Sequence, residues 1–128
     1  LQTALAPDEV LTEIRVPKLT GWGVHYEKFQ RVAQAWAVVG VAAAVRSSNG
    51  SIAEARIGLT NMAPTPVRAS AVEQALAGGD RTREAITAAA AAAADGTAPT
   101  SDLSAQADYR EHLARVLTGR AVATAAGL

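Results

Sequence analysis

The dipeptide Asn49-Gly50 constrains the fold of this chain most, because it lies between two runs that both have the character of β-strands. Asparagine and glycine tolerate the positive φ angles of the two-residue turns that join antiparallel strands. Residues 38–45, before the turn, are continuously apolar, which is typical of a strand covered on both faces. Residues 51–60, after it, alternate, and we expect one face to carry Ala53, Ala55, Ile57 and Leu59. The pattern predicts an antiparallel hairpin.

Two further strands are predicted ahead of this hairpin. Residues 12–16 alternate polar and apolar side chains and stop at Pro17. In residues 22–28 the alternation puts His25 and Glu27 on one face, and on the other face Trp22, Val24, Tyr26 and Lys28. With the hairpin, these runs predict an antiparallel sheet of three to four strands.

The stretch "LTNMAPTPVRAS", residues 59–70, separates the strand-like half of the chain from a helical half. We expect Asn61 to bond its own backbone as the chain leaves the sheet. Pro64 and Pro66 fix φ and keep the residues before them extended, so the first helix is predicted to begin at Val67. The stretch carries no catalytic group, and we interpret it as a joint between the two halves.

Three helices are predicted in the second half. The first ends at Gly78-Gly79, and the second is capped by Asp80 or Thr82 and runs through an alanine tract to Asp95-Gly96. The third begins near Ala105 and has one apolar stripe, formed by Tyr109, Leu113, Val116, Leu117 and Ala121. Strands followed by helices indicate an α+β fold, with the helices packed on one face of the sheet and residues 1–128 forming a single domain.

Composition excludes several functional classes. Twelve Lys and Arg balance twelve Asp and Glu, so no nucleic-acid partner is indicated. The chain has no cysteine, which rules out disulfides and cysteine-ligated metals and fits a reducing, cytoplasmic location. No apolar run approaches the ~20 residues of a membrane span. We expect no catalytic residue and no metal site, since His25 and His112 have no partners at ligand spacing.

The two tryptophans receive different interpretations. Trp22 lies in a strand-like run and is expected to be a core aromatic residue. Trp36 lies in a segment that interrupts the strand pattern, and a large aromatic side chain in a loop is a candidate for contact with a ligand or a neighbouring domain.

Four stretches together resemble the C-terminal domain of the FAD-binding (medium) subunit of molybdenum hydroxylases. They are "TALAPDEVLTEIRVP", "YEKFQRVAQAWAVVGVAAAV", "IAEARIGLTNMAPTPVRAS" and "DYREHLARVLTGRAV", and they cover essentially the whole chain. The wording "LTNMAPTPVRA" is most similar to the aerobic carbon monoxide dehydrogenase branch. Relatives of the xanthine and aldehyde type more often have glycines where Thr60 and Asn61 stand.

The resemblance implies an oxidoreductase complex in which this chain is one part. FAD would be held mainly by the N-terminal and middle domains of the same subunit, which are expected to be absent from this chain. The partners would be a large subunit with a molybdenum cofactor and a small subunit with two 2Fe-2S clusters. Electrons would pass from them to the flavin and on to an external acceptor, and the isolated domain would be inactive.

The resemblance also suggests which residues face the flavin. Lys28 matches the family's flavin-contacting lysine, and a cation there would stabilise the negative charge of the reduced ring. Trp36 stands where the chain passes near the ring, and Tyr26 shares a strand face with Lys28. The family commonly has an acidic residue just before the position of Trp36, whereas this chain has Ala35.

Other readings stay open at this point. The complex could instead act on a purine, an aldehyde or an N-heterocycle, because substrate choice is made at the molybdenum site. The domain could also be a non-enzymatic docking module that holds subunits together. Lys28 could be a solvated lysine at a strand end, and Tyr26 could be a core residue.

Overall fold

The computed structural model describes residues 3–128, and in that range four antiparallel strands precede three α-helices. The strands are β1 (Gly23–Phe29), β2 (Val39–Ser48), β3 (Ser51–Thr60) and β4 (Val67–Arg68), and they lie in that order across one sheet. The helices are α1 (Ser70–Leu76), α2 (Arg83–Ala90) and α3 (Ala107–Ala125), and a 3-10 turn at Ala91–Ala94 extends α2. The predicted α+β class is confirmed.

The hairpin between β2 and β3 forms as predicted, with Asn49 and Gly50 at φ angles of 50° and 81°. A β-bulge interrupts the pairing of β2 with β3 between Arg46 and Ser47. Arg46 pairs with Glu54 and Ser47 pairs with Ile52, so Ala53 is left without a partner on β2. The extra residue inverts the alternation, because side chains in a strand have a period of two. Ile52 is therefore buried and Ala53 is exposed, so the prediction that Ala53 faces the core is wrong.

The core lies between one face of the sheet and the helices. Helices α1 and α3 contact the sheet, and α2 packs against both of them. Cross-strand pairs such as Val41 with Leu59 and Ala43 with Ile57 face inward, where they meet Val72, Ile86, Leu113 and Leu117. Burial of each large aliphatic side chain contributes about 1.5–3 kcal/mol, so the packing on this face strongly stabilises the fold.

The opposite face of the sheet is open in the part of the chain that the structure describes. Ala42 of β2 is exposed and Ala44 is only half-buried, so the prediction that both faces of this strand are covered is wrong. On β1, Val24 and Tyr26 are also exposed. The continuous apolar run of β2 has a different origin: its inward side chains are mostly valines, and its outward ones are small.

Residues 12–16 do not form a strand, so the prediction of a strand in this segment is wrong. Ile14 and Val16 of this segment are exposed by 76% and 78%. Alternation alone does not make a strand, because a strand is stable only when a neighbour satisfies its backbone groups. Residues 12–16 have no such neighbour within 3–128, and β4 supplies the fourth strand instead.

Trp22 is not a core residue, contrary to the prediction. It is half-buried on the surface, where the guanidinium groups of Arg46 and Arg56 lie 5.8 and 4.8 Å from its ring centroid. These are cation–π distances. Glu54 pairs with both arginines, at 3.2 and 2.9 Å, and these hydrogen bonds hold the pKa of the Glu54 carboxyl below its usual value.

The chain stays extended beyond the prolines, so α1 starts at Ser70 and the predicted start at Val67 is wrong. Val67 pairs instead with Leu59 as part of β4. Glu73 of α1 then completes the sheet, because its carboxylate accepts the backbone N–H of Ile57 at 2.6 Å. The same carboxylate accepts two hydrogen bonds from Arg68, at 2.7 and 2.8 Å, which raise the pKa of that arginine.

The other two helices follow the prediction closely. Thr82 caps α2 by accepting the N–H of Ala85 at 3.2 Å, which selects it over Asp80. Helix α3 begins two residues later than expected, and Leu113, Leu117 and Ala121 of the predicted stripe are buried. Tyr109 and Val116 lie at the edge of that stripe and are exposed.

Candidate functional site

The three residues predicted to face a cofactor lie together in one groove. The groove occupies the end of the open sheet face and has a volume of about 560 Å³. Its walls come from β1, the loop between β1 and β2, and the chain that leaves β3. The lining residues are Tyr26, Lys28, Gln34, Ala35, Trp36, Ala37, Thr60, Asn61, Ala63, Pro64, Thr65 and Pro66.

The floor of the groove is set by the strand register. Lys28 pairs with Gly40, and Gly40 pairs with Thr60, so these three residues form one row across β1, β2 and β3. A Cβ atom on Gly40 would lie 2.6 Å from both the Tyr26 hydroxyl and the Thr60 Oγ1. Only a glycine therefore leaves the Tyr26 ring room to lie across the middle strand.

Trp36 is presented by a loop of residues 30–37 that is folded on itself. The N–H of Val38 donates to the carbonyl of Phe29 at 2.7 Å and closes the loop at its base. Within the loop, the N–H of Ala35 donates to the carbonyl of Val32 at 3.2 Å, and Gln34 has a φ of 62°. The Trp36 side chain is nevertheless 91% exposed. A large aromatic side chain on an ordered loop, with nothing packed on it, is available for binding.

The chain after β3 forms the facing wall. Asn61, at a φ of 64°, donates from Nδ2 to the carbonyl of Ala37 at 2.8 Å and so joins this wall to the base of the Trp36 loop. The expected bond from Asn61 to its own backbone is replaced by this longer-range one. Pro64 and Pro66 stiffen the wall.

From the sequence, residues 59–70 were interpreted only as a joint, and their role as a wall of the groove was not predicted. Part of the signal was present in the hairpin, because counting away from Asn49-Gly50 places Thr60 opposite Val39, and the β-bulge shifts it by one residue to Gly40. The chain that leaves β3 must then run past the point where β2 begins.

Among the described residues, Lys28 is the single charged side chain that lines the groove. Within residues 3–128, no carboxylate lies within 4.0 Å of its ammonium group. The groove thus combines one unpaired cation with a free indole ring, a phenol and the polar groups of Gln34, Thr60 and Thr65. This set suits a planar, electron-accepting ring that gains negative charge.

Neither histidine lies in the groove. His25 pairs with Ala43 in the sheet and lies 3.4 Å from the carboxylate of Glu27, and His112 stacks on Tyr109 with ring centroids 6.3 Å apart. Across residues 3–128, no group of three His, Asp or Glu side chains is arranged to hold a metal ion.

A second, apolar hollow of about 590 Å³ adjoins the groove and shares Tyr26 with it. It occupies the rest of the open sheet face, over Val24, Ala42, Ala44 and Gly58, and Arg56 and Arg68 lie at its rim. Its floor consists of small side chains, so it offers a flat surface rather than a deep cavity.

Comparison with known proteins gives a consistent result. Residues 24–125 match the family described as the CO dehydrogenase flavoprotein C-terminal domain. The chain is 41% identical over 123 residues to the carbon monoxide dehydrogenase medium chain of Hydrogenophaga pseudoflava, and this match covers 94% of the chain and 42% of the relative. The corresponding protein of Afipia carboxidovorans is 40% identical over 121 residues, again with 94% and 42% covered.

Solved structures agree with this match. A carbon monoxide dehydrogenase structure from Hydrogenophaga pseudoflava superposes with a TM-score of 0.78 at 44% identity, over 84% of this chain and 37% of that one. Quinoline 2-oxidoreductase from Pseudomonas putida 86 superposes with a TM-score of 0.78 at 26% identity, over 83% and 37%.

The chain thus spans about two fifths of the length of the curated relatives it matches. Among the helices of residues 3–128, none is long and apolar enough to cross a membrane.

Proposed function

This chain belongs to the CO dehydrogenase flavoprotein C-terminal domain family, and on that premise we propose that it covers the isoalloxazine ring of FAD. The parent protein is then the flavoprotein subunit of a carbon monoxide dehydrogenase-like molybdenum hydroxylase. The groove is the observation that carries the proposal. Tyr26 and Lys28 come from β1 and Trp36 comes from the loop after it, and all three line the same groove. Bound FAD supplies the redox chemistry, relaying electrons from molybdenum and 2Fe-2S centres on partner subunits to an external acceptor.

The residues present fit the ring of FAD and not the rest of the molecule. A flat aromatic ring matches the exposed indole of Trp36 and the groove volume of about 560 Å³. The pyrophosphate needs several donors, such as a glycine-rich loop at a helix N-terminus, whereas the groove has one cation and two prolines. We therefore assign the phosphate and adenine contacts to parts of the subunit outside this chain, and we propose that residues 1–128 act as one domain that does not retain FAD alone.

Lys28 has the clearest role in this arrangement. Its ammonium group has no carboxylate partner within 4.0 Å among residues 3–128, so its charge is available to a ligand. Placed beside the pyrimidine end of the ring, it stabilises the negative charge that reduction creates there. This favours the reduced state over the oxidised one and raises the midpoint potential.

Trp36 and Tyr26 supply packing. The indole of Trp36 stacks on or shields the ring, which excludes water and strengthens the effect of the Lys28 charge. Tyr26 lies across Gly40 and forms the boundary between the groove and the apolar hollow. Ala35 leaves the groove without a negative side chain, which keeps Lys28 free of a competing partner.

The test uses the intact flavoprotein subunit with matched variants. Trp36→Ala is compared with Trp22→Ala, since these are the two tryptophans of the chain. We expect Trp36→Ala to weaken FAD retention in dialysis by about tenfold, corresponding to about 1.4 kcal/mol of lost stacking. Trp22 lies outside the groove, so its substitution is expected to leave FAD retention unchanged.

The same variants separate the flavin role from a docking role. If Trp36→Ala left FAD retention and the flavin spectrum unchanged but weakened assembly with the partner subunits, the domain would be a docking module. The choice among carbon monoxide, purine, aldehyde and N-heterocycle substrates requires the molybdenum subunit, and we propose carbon monoxide from the two matches of about 40% identity.

A further inference from the structure

Arg110 is a charged residue in the core, and its burial is not explained by contact with the groove, because it does not line the groove. Its side chain is 1% exposed, although it lies in the first turns of α3 among apolar neighbours. Burying a guanidinium group costs several kcal/mol unless its partners are well placed. The position of those partners therefore indicates what the burial achieves.

The two partners of Arg110 lie in two different loops, and one of these loops carries Trp36. Nη1 donates to the carbonyl of Val38, the residue at which the Trp36 loop enters β2. Nη2 lies 2.7 Å from Oδ1 of Asp102 as an ion pair without hydrogen-bond geometry, and the buried Nε has no hydrogen-bond partner within residues 3–128. Asp102 also accepts the N–H groups of Ser104 and Ala105, at 2.7 and 3.1 Å, and thereby shapes the loop that precedes α3.

A second arginine joins the same two loops. Arg31, near the start of the Trp36 loop, donates from Nη1 to the carbonyl of Leu103 at 3.0 Å. The Trp36 loop is thus fixed at its start through Arg31 and at its end through Arg110. Both connections lead to the loop of residues 101–105, whose fold depends on Asp102.

We propose that Arg110 is a positioning residue for Trp36, acting with Asp102 through the Val38 carbonyl. A role in stability alone would not need a cation here, because an apolar side chain of similar volume packs at least as well as many buried ion pairs. The Arg110 cation fixes the direction of the Val38 carbonyl. Trp36 lies two residues before Val38, so the orientation of Val38 sets where the Trp36 indole is held. This inference rests on the proposed function, since it concerns how the indole is held against the flavin ring.

The experiment is a double-mutant cycle in the intact flavoprotein subunit, with the FAD dissociation constant as the readout. We expect Arg110→Met to weaken FAD binding by three- to tenfold in the wild-type background and by less than twofold in a Trp36→Ala background. Arg110→Lys, which keeps a donor for Val38, should recover part of the loss. Arg115→Met, at a half-exposed position on the same helix, is the control and should leave the dissociation constant unchanged.

Three outcomes decide the matter. Equal losses from Arg110→Met in both backgrounds would overturn the positioning role, because the residue would then act independently of Trp36. Unchanged FAD binding in Arg110→Met, with Trp36→Ala still weakened, would overturn it as well and leave the proposed function intact. Unchanged binding in Trp36→Ala would remove the proposed function itself. If Arg110→Met does not fold, Asp102→Asn or Arg31→Met replaces it in the double-mutant cycle, because both residues are exposed.

Discussion

The two faces of the sheet are built from alternate residues of the same strands and differ in kind. The inward face of β2 and β3 carries Val39, Val41, Val45, Ile57 and Leu59, which are buried against the helices. The outward face has Gly40, Ala42, Ala44 and Gly58 at the neighbouring positions. The inward face maximises apolar volume, and the outward face minimises it. One face therefore holds the fold together, whereas the other leaves open the space in which we propose that the flavin ring lies.

The largest effect is expected from breaking the inward face. Val41→Ala removes a fully buried side chain and should lower the free energy of unfolding by about 2–3 kcal/mol. Val24→Ala makes the same chemical change on the outward face, where the side chain is 65% exposed, and should cost less than about 0.5 kcal/mol. Urea denaturation of the two variants measures the difference. Equal losses would show that the outward face is also part of the core.

The next largest loss of stability is expected from breaking the connection between the sheet and α1. Glu73→Ala leaves the buried N–H of Ile57 without its acceptor and Arg68 without its partner, which should cost about 1–3 kcal/mol. Glu84→Ala, in the first turn of α2, is the matched control, because Glu84 is exposed and makes no ion pair within residues 3–128. A Glu73→Ala protein as stable as the control would contradict the role of this carboxylate in completing the sheet.

Gly40→Ala sharpens the comparison by adding one methyl group to the outward face. The new Cβ would collide with the ends of the Tyr26 and Thr60 side chains, which can rotate away. We expect a loss of stability of about 1 kcal/mol or less, together with a displaced Tyr26 ring. A crystal structure of the variant, with Ala42→Ser as the control, tests this. A Tyr26 ring left in place would show that the close approach at Gly40 does not set the shape of the groove.

The smallest effect concerns acid stability at Asp102. Hydrogen bonds from the Ser104 and Ala105 N–H groups, aided by Arg110, hold the pKa of this carboxyl below its usual value. A depressed folded-state pKa gives stability that is present above the unfolded pKa of about 3.9 and is lost as the pH falls through the folded value. Asp102→Asn should therefore be less stable than wild type at pH 7, with the gap closing below about pH 4. A gap that stays constant down to pH 3 would contradict this.

Much of the fold could be predicted from the sequence, because its strongest signals are local. Asn49-Gly50 predicted the hairpin, and the spacing of Leu113, Leu117 and Ala121 predicted the buried stripe of α3. The cap of α2 was narrowed to Asp80 or Thr82, and the structure selects Thr82. The errors have non-local causes. Residues 12–16 alternate like a strand but lack a partner, and a bulge in the pairing with β2 turned Ala53 outward.

The candidate site was predicted in part. Lys28 and Trp36 came from a family resemblance and a loop-like context, and the structure puts them in one groove with Tyr26. The wall from Asn61 to Pro66 and the burial of Arg110, to which we assign a positioning role, were not predicted from the sequence. Both depend on contacts between residues far apart in sequence, such as Asn61 with Ala37 and Arg110 with Val38.

We propose that the outward face presents Lys28 to the flavin, and measuring the midpoint potential of FAD in the intact subunit checks this role. Lys28→Met should lower that potential by about 30 mV, equivalent to about 1.4 kcal/mol for a two-electron couple. Lys18→Met is the matched control, since Lys18 is the other lysine of the chain and is exposed away from the groove, and it should leave the potential unchanged. Equal potentials in both variants and wild type would contradict the account.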